Sequence, residues 1–176
     1  KSPEQLSVSE LIDYILENHH EYARTEVERL ESLLKKIINK HDKENETLIS
    51  LQENFAELKE DLALHFRKEE TVLFPFIKYL EVSAAKNNSM AHPPFKTVKN
   101  PIRAMMIEHD KTDGIMKKIR ESTQNYTLPK NACRNFQMLY SGLKKLETNL
   151  YRHIHLENNV LFLNAVKLEQ KVIFGY

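Results

Sequence analysis

Glycine, proline and tryptophan are scarce in this chain of 176 residues, which has three glycines, six prolines and no tryptophan. Turn-rich sheet proteins need glycine and proline at their many tight turns, so this composition disfavours them. No apolar run of about 18 residues occurs, so a membrane-spanning helix is not expected. A chain of this length with 29% charged residues is typical of one domain built from long helices.

The chain also has a single cysteine and almost no net charge. The only cysteine, Cys133, has no partner within the chain for a disulfide, which favours a reducing, cytoplasmic setting. The formal net charge is +1, so the charge balance gives no reason to expect nucleic acid or an acidic membrane surface as a partner. Function must therefore be sought in particular side chains.

One short pattern occurs twice. The segments HFRKEETVLF, which starts at His65, and HIHLENNVLF, which starts at His153, both follow HxxxExxVLF and lie 88 residues apart. Side chains four residues apart lie on the same face of an α-helix. His65 with Glu69, and His153 with Glu157, therefore each offer an imidazole nitrogen and a carboxylate to one point in space. Two such pairs predict a metal site.

Both pairs interrupt an apolar helical stripe. In the first copy the stripe consists of Leu58, Leu62, His65, Glu69, Val72 and Phe76. In the second copy it consists of Leu139, Leu143, Leu146, Leu150, His153, Glu157 and Val160. A buried carboxylate costs several kcal/mol unless it is paired or coordinates a metal. A bound cation is therefore favoured over paired structural side chains.

Two further histidines extend the set. The apolar stripe over residues 102–119 carries His109 inward, and the stripe over residues 12–37 carries His20 inward. His19 has nearly the same spacing, so periodicity alone does not separate it from His20. The 89 residues between His20 and His109 are close to the 88 between the two HxxxE pairs, which indicates a duplicated helix pair.

Other polar residues near these positions are expected to have lesser roles. Asp113, one turn after His109, is expected to be solvated or to support a ligand rather than to bind metal itself. Glu70 and Glu108 border the candidate ligands, where they would orient an imidazole or help a bound metal leave, but a solvated position is favoured. The remaining histidines are expected on the surface: His41, His92 and His155.

Capping and turn signals predict four helices. The first begins at Ser7, whose spacing to Glu10 is that of a capping box, and runs to about residue 39. The second covers roughly residues 46–81 and is expected to kink or break near Phe74, before Pro75.

The second half of the chain repeats this pattern. A polar loop over roughly residues 83–100 contains Pro93 and Pro94. Asn100 before Pro101 predicts the cap of the third helix, which ends at about residue 122. The fourth helix follows Pro129 and ends at about residue 168. Short first and third connections predict an up-down-up-down four-helix bundle.

Taken together, these motifs resemble the repair-of-iron-centres family of di-iron proteins, which belongs to the hemerythrin-like group. The segments that carry the resemblance are HFRKEETVLFP from His65, Glu108-His109-Asp110, HIHLENNVLF from His153, and His20 before Glu26-Val27-Glu28-Arg29-Leu30. The resemblance implies an all-α, hemerythrin-like bundle and a single di-iron domain over residues 1–176. The cysteine-bearing N-terminal domain of some family members is expected to be absent.

The resemblance also implies a cofactor and a function. Six residues would hold two Fe ions in a non-haem centre with an oxo or hydroxo bridge, and the two glutamates would bridge the irons. Those residues are His20, His65, Glu69, His109, His153 and Glu157. The implied function is repair of iron-sulfur clusters damaged by nitric oxide or oxidative stress, through iron donation, nitric oxide chemistry or both. Damaged or apo iron-sulfur proteins and nitric oxide or oxygen are then the implied partners, and an enzymatic reduction of nitric oxide stays open.

The types of donor atom by themselves indicate which metals the site would bind. Mixed nitrogen and oxygen donors without thiolate suit iron or manganese better than structural zinc, whose sites are four-coordinate and closed. Oxygen-carrying hemerythrins have HxxxH on the third helix, where this chain has Asp113, and HxxxxD on the fourth, where it has HxxxE. The missing nitrogen and the extra carboxylate weigh against reversible oxygen carriage. Two alternatives remain: a hemerythrin-type oxygen or nitric oxide binder or sensor, and a metal-free helical interaction module, which the buried ligand stripes disfavour.

Overall fold

Four helical rods form the fold. A computed structural model describes residues 2–40, 45–86 and 96–174. The rods contain α1 Val8–Ile15 and α2 Glu21–Lys40, then α3 Glu46–Lys68 and α4 Phe74–Lys86, then α5 Lys99–Ser122, and finally α6 Arg134–Leu156 and α7 Phe162–Phe174. The described ranges contain no strand, so the all-α prediction is confirmed. In the same ranges, no helix combines the length and the apolar character that a bilayer crossing requires.

Three rods contain a single wide turn of π-helix that joins their two α-helices. The turns are π1 Leu16–His20, π2 Glu69–Leu73 and π3 Glu157–Leu161. After each turn a backbone N–H donates to the carbonyl five residues earlier, as the N–H of Phe74 does to Glu69. A π turn inserts one residue without ending the helix, so the side chains beyond it are rotated relative to α-helical spacing.

This rotation corrects two predicted core positions. Val72 is 49% exposed, whereas its neighbour Leu73 is buried. Val160 is only partly buried, whereas Leu161 is fully buried. The predicted stripes assumed uninterrupted α-helical spacing, and the extra residue of each π turn moves the next side chain inward instead.

The first two rods begin as predicted, but the second ends later. The hydroxyl of Ser7 accepts the N–H of Glu10 at 3.3 Å and the Glu10 carboxylate accepts the N–H of Ser7 at 2.8 Å, so the capping box is confirmed. The second rod passes through Pro75 without a break and ends at Lys86. In an uninterrupted α-helix the N–H of residue 75 would donate to the carbonyl of Thr71, and proline lacks that N–H. Thr71 lies within the π turn Glu69–Leu73.

The predicted cap of the third helix was wrong. Asn100 lies inside α5, which begins at Lys99. The carboxylate of Glu169, a buried residue of α7, accepts the backbone N–H of Val98 at 2.6 Å and the hydroxyl of Thr97 at 2.6 Å. A side chain from a distant part of the chain therefore satisfies this helix end, and local sequence patterns do not report such a contact.

The fourth rod begins and ends later than predicted. It starts at Arg134 instead of Pro129, after a turn in which Asn131 has a positive φ of 61°, and it continues to Phe174. Of the predicted polar loop, residues 83–86 and 99–100 are helical. Pro93 and Pro94 lie outside the described residues.

Two buried apolar clusters stabilise the fold. The larger cluster joins α2, α3, α6 and the C-terminal part of α5, and the second joins α1, α4, α7 and the N-terminal part of α5. The most extensive contacts between helices join α2 with α6, α3 with α5, and α4 with α7. The polar residues predicted for the site lie between the two clusters, where the π turns occur.

Gly142 permits the close approach of α6 to α2. A Cβ atom at this position would lie 2.5 Å from Cδ2 of Leu30, 2.7 Å from Nη2 of Arg29 and 2.9 Å from Oε1 of Glu26. Leu30 is fully buried, so it has little room to move.

We expect Gly142→Ala to lower the free energy of unfolding by about 1–3 kcal/mol, because the added methyl group overpacks the contact between α2 and α6. Urea unfolding followed by circular dichroism measures the change. Gly114 in α5 is the matched control, since a Cβ there meets nothing within 4 Å. Gly114→Ala should raise the free energy of unfolding by about 0.5–1 kcal/mol. Stabilisation by both substitutions would contradict this account of Gly142.

Candidate metal centre

Six side chains from all four rods meet between the two apolar clusters. They are His20 from π1, His65 from α3, Glu69 from π2, His109 from α5, His153 from α6 and Glu157 from π3. Each is at least 97% buried. The structure thus brings together all six residues that the sequence predicted for the site.

The six residues form two pockets that share both glutamates. The first pocket consists of His20, His153, Glu69 and Glu157, whose ligand atoms all lie within 4.8 Å of one another. Its two Nε2 atoms are 3.2 Å apart. Oε2 of Glu69 lies 3.4 Å from Nε2 of His20, and Oε1 of Glu157 lies 2.9 Å from Nε2 of His153.

The second pocket has the same composition. His65 and His109 contribute Nε2 atoms that are 3.1 Å apart. Oε1 of Glu69 lies 3.2 Å from Nε2 of His65, and Oε2 of Glu157 lies 3.0 Å from Nε2 of His109. Each glutamate therefore directs one oxygen to each pocket.

The donor atoms fit bound metal. All four carboxylate oxygens of Glu69 and Glu157 are buried, and none has a hydrogen-bond partner among the described residues. Unpaired buried carboxylates are costly, and a cation held between them and the four imidazole nitrogens would remove that cost. Nitrogen and oxygen donors without thiolate suit transition metals such as iron and manganese.

Two carboxylates at the surface, those of Glu70 and Glu108, hold two of the four histidines in place. Nδ1 of His20 donates to Oε1 of Glu70 at 2.7 Å, and Nδ1 of His65 donates to Oε2 of Glu108 at 3.0 Å. Because Nδ1 carries the hydrogen, Nε2 presents its lone pair to the pocket. The favoured prediction of solvated positions for Glu70 and Glu108 was wrong, since both side chains are only 28% exposed and contact imidazoles.

Surface cations complete these two contacts. Arg24 donates to Glu70 at 2.6 Å, and Lys68 donates to Glu108 at 2.5 Å. Partial burial opposes ionisation of the two carboxyls, but the hydrogen bonds from the cations and the imidazoles hold the pKa of each below its usual range. Glu70 and Glu108 are therefore charged acceptors at neutral pH.

Asn158 was not predicted from the sequence. Its Oδ1 lies 2.9 Å from Nδ1 of His109, so it holds this imidazole as Glu70 holds His20. Asn158 and Glu70 each follow a shared glutamate directly in the chain. The duplication was the signal that pointed to Asn158, once Glu70 was known to contact His20.

His19 is buried but lies outside both pockets. Its Nδ1 is 3.0 Å from Oδ1 of Asn149, and its ring stacks on His153 with centroids 5.8 Å apart and an interplanar angle of 17°. Burial lowers the pKa of His19, although the contact with Asn149 acts in the opposite direction. The structure therefore brings His20, and not His19, into the first pocket.

The lesser candidates lie away from the centre. Asp113 accepts the hydroxyl of Tyr151 at 2.8 Å and pairs with Lys117 at 2.7 Å, so it belongs to the surface. His155 is exposed, as predicted. His41 and His92 lie outside the described residues.

The buried charges of the metal-free pockets perturb one another. Burial opposes protonation of His65, but the neighbouring charges of Glu69 and Glu157 outweigh it and raise the pKa of His65 to about 9. Burial would likewise raise the pKa of Glu157, but His153 and His109 hold it well below its usual range. A proton on His65 thus takes the place of a cation beside the carboxylates.

A buried set of four imidazoles and two carboxylates within a four-rod helical fold defines a cation-binding protein of the hemerythrin type. The family model described as "Hemerythrin HHE cation binding domain" matches residues 11–163, and the chain belongs to that family.

Curated relatives match over most of the chain. A protein named "Probable iron-sulfur cluster repair protein" from Haemophilus influenzae is 35% identical over 89% of this chain and 64% of its own length. The protein named "Iron-sulfur cluster repair protein YtfE" from Yersinia pseudotuberculosis is 31% identical over 94% of this chain and 69% of its own length. The chain therefore spans about two thirds of the length of these relatives.

In the metal-free protein, we expect His65 to make stability depend on pH. Its pKa is raised from 6.5 to about 9, so its contribution is fully present below about pH 6.5 and is lost as the pH rises through about 9. The difference in free energy of unfolding between the parent protein and His65→Gln should therefore shrink from pH 6 to pH 9.5, by about 3 kcal/mol at most.

Denaturant unfolding of chelator-treated protein at several pH values measures this difference. His155→Gln is the matched control, because His155 is exposed and belongs to neither pocket. A difference for His65→Gln that stays constant across the range would contradict the assignment.

Proposed function

We propose that the protein binds two iron ions, one in each pocket, with Glu69 and Glu157 as shared bridging ligands. The observation that supports this is the division of each carboxylate, which directs one oxygen to each of two imidazole pairs. Each ion would receive two nitrogens and two oxygens from the protein. Iron and manganese accept more than four ligands, so further small ligands have room to bind.

Repair of iron-sulfur clusters damaged by nitric oxide or oxidative stress is the function that this centre would serve. The names of the two relatives support it, together with their alignment over 89% and 94% of this chain. A non-haem iron pair supplies ferrous iron that can be handed on and a redox-active place for nitric oxide. Damaged or apo iron-sulfur proteins would be the partners. The reducing cytoplasm stays the predicted location.

The residues around the pockets would control access of water and protons. The ring of Phe66 stacks on His20 with centroids 4.0 Å apart, and Phe162 lies parallel to His109 at 6.1 Å. These apolar walls keep bulk water from the imidazoles and favour a small uncharged ligand such as nitric oxide. Glu70 and Glu108 hold the Nδ1 hydrogens, so the lone pairs on Nε2 stay available to metal.

The apolar walls also suit the alternative function, a hemerythrin-type oxygen or nitric oxide binder or sensor. The two functions differ in what happens to iron and to the small ligand. A binder keeps its iron and releases the ligand unchanged, whereas a repair protein hands iron on or converts nitric oxide.

For the fold, we infer an up-down-up-down order of the rods within one domain. Contacts between the first two rods support it, because Asp13 pairs with Lys78 while Glu31 pairs with Lys59. Residue numbers thus rise along one rod as they fall along the other. The pairs between later rods follow the same trend: Lys68 with Glu108, Asp61 with Lys111, Asp113 with Tyr151, and Val98 with Glu169.

We expect anaerobically purified protein to contain two iron atoms per chain, and Glu69→Gln and Glu157→Gln to lower that content to similar degrees. Each substitution removes a negative charge that both ions would share, so metal binding should weaken in both pockets. Metal analysis by mass spectrometry measures the content, and Glu60→Gln, at an exposed position of the same rod as Glu69, is the matched control. Tight binding of a single zinc ion without iron would contradict the proposal.

We expect the reduced protein to react irreversibly with oxygen, to bind nitric oxide and to restore an apo or damaged iron-sulfur acceptor. His65→Ala and His153→Ala should lose all three properties, since each removes one imidazole from a different pocket. The measurement is anaerobic cluster recovery, compared with an equal concentration of free ferrous iron plus chelator. His155→Ala is the exposed control. Reversible oxygen uptake, with no cluster recovery and no nitric oxide consumption, would assign the protein to the binder or sensor class.

A further inference from the structure

Both histidines of the second pocket have a hydrogen-bonded support behind them. Nδ1 of His65 donates to the carboxylate of Glu108 at 3.0 Å, and Nδ1 of His109 donates to the amide oxygen of Asn158 at 2.9 Å. Each contact fixes the tautomer and the orientation of the ring, so that Nε2 points to the metal position. The second pocket is therefore preorganised on both sides.

The first pocket has such a support on one side only. Nδ1 of His20 donates to Glu70 at 2.7 Å. Within the part of the chain that the structure describes, the corresponding nitrogen of His153 makes no hydrogen bond, and the group stacked on its ring is His19. The two rings are 17° from parallel with centroids 5.8 Å apart, and no hydrogen bond joins them, because Nδ1 of His19 bonds to Asn149 and Nε2 of His19 has no partner among the described residues.

The repeated pattern shows which residue lies beside His65, the equivalent of His153 in the other half of the chain. Glu108 directly precedes His109 and supports His65, while His19 directly precedes His20 and lies against His153. His19 thus occupies the position of Glu108, with a neutral ring where the other half has a carboxylate.

The hydrogen on Nδ1 of His19 is donated to a residue other than His153. The amide Nδ2 of Asn149 donates to the carbonyl oxygen of Asn18 at 3.3 Å, so Oδ1 of Asn149 accepts the Nδ1 hydrogen of His19 at 3.0 Å. The remaining nitrogen of His19, Nε2, is buried and has no partner among the described residues. His19 therefore gives His153 neither a charge nor a hydrogen bond.

We propose that the first pocket is the weaker and more readily exchanged of the two metal positions, and that His19 is the positioning residue that sets the difference. This inference rests on the proposed binding of two metal ions. Loss of a hydrogen-bonded partner behind a metal-binding imidazole typically costs about 10–100-fold in metal affinity. The first pocket lacks one such partner, whereas the second has both.

The surroundings of His19 agree with exchange at this position. His19 lines an open groove of about 590 Å³ between α2 and α6, together with Tyr22, Asn149 and Arg152. His19, whose ring lies beside that of His153, therefore stands between the first pocket and this open groove. Movement of the unsupported His153 ring would open the first pocket on this side.

The test is an anaerobic titration of metal-free protein with ferrous iron, in competition with a coloured chelator. We expect two binding steps whose dissociation constants differ by about 10–100-fold. His20→Ala should abolish the weaker step and His109→Ala the tighter one, since each removes an imidazole from one pocket. Two steps of equal affinity would overturn the inference but leave the proposed function intact, whereas binding of fewer than two ions would overturn both.

Exchanging the two equivalent residues tests the role of His19 itself. His19→Glu places beside His153 the carboxylate that Glu108 places beside His65, so the weaker step should strengthen by about tenfold or more. Glu108→His should weaken the tighter step by a similar factor, and it remains a test if His19→Glu does not fold. His155→Glu, an exposed change of the same type on the fourth rod, should alter neither step. Equal effects of an exchange on both steps, or no effect on either, would overturn the assignment.

Discussion

The burial of two carboxylates, Glu69 and Glu157, is the constraint on which the rest of this structure depends. Their four oxygens lie away from water and have no hydrogen-bond partner in the described part of the chain, and such groups are tolerated only beside positive charge. Four imidazoles converge on them. Two carboxylates and one amide, those of Glu70, Glu108 and Asn158, each accept a hydrogen bond from Nδ1 of one of these imidazoles. The two apolar clusters on either side exclude water, so the demand for a cation arises from the fold itself.

The π turns show how the helices meet this demand. A wide turn begins at each shared glutamate, so that two consecutive residues contact the centre: the glutamate directs its oxygens to both pockets, and the next residue supports a histidine on a neighbouring rod. Regular α-helical spacing turns consecutive side chains about 100° apart. Wide turns of this kind are frequent at functional sites, and here they change which apolar residues are buried beyond the centre.

The duplication makes the two pockets alike in donors but not in support. Glu70 and Asn158 occupy equivalent positions and make equivalent contacts, although one is charged and the other neutral. Glu108 and His19 occupy equivalent positions and behave differently, because only the carboxylate accepts a hydrogen bond from the histidine beside it. The two halves therefore place identical donor sets in unequal surroundings, which suits a centre that would hold one ion while the other exchanges.

The sequence by itself determined the helical class, the family and five of the six side chains that meet at the centre, because helical periodicity places His109, the pair His65 and Glu69, and the pair His153 and Glu157 on buried faces. The tertiary structure alone decided that His20 rather than His19 enters the first pocket, that Glu169 caps α5, and that Leu73 rather than Val72 is buried. It also decided the supports of the histidines. The physical reason is that these features depend on contacts between residues distant in the chain and on a one-residue insertion in each π turn, neither of which local spacing reports.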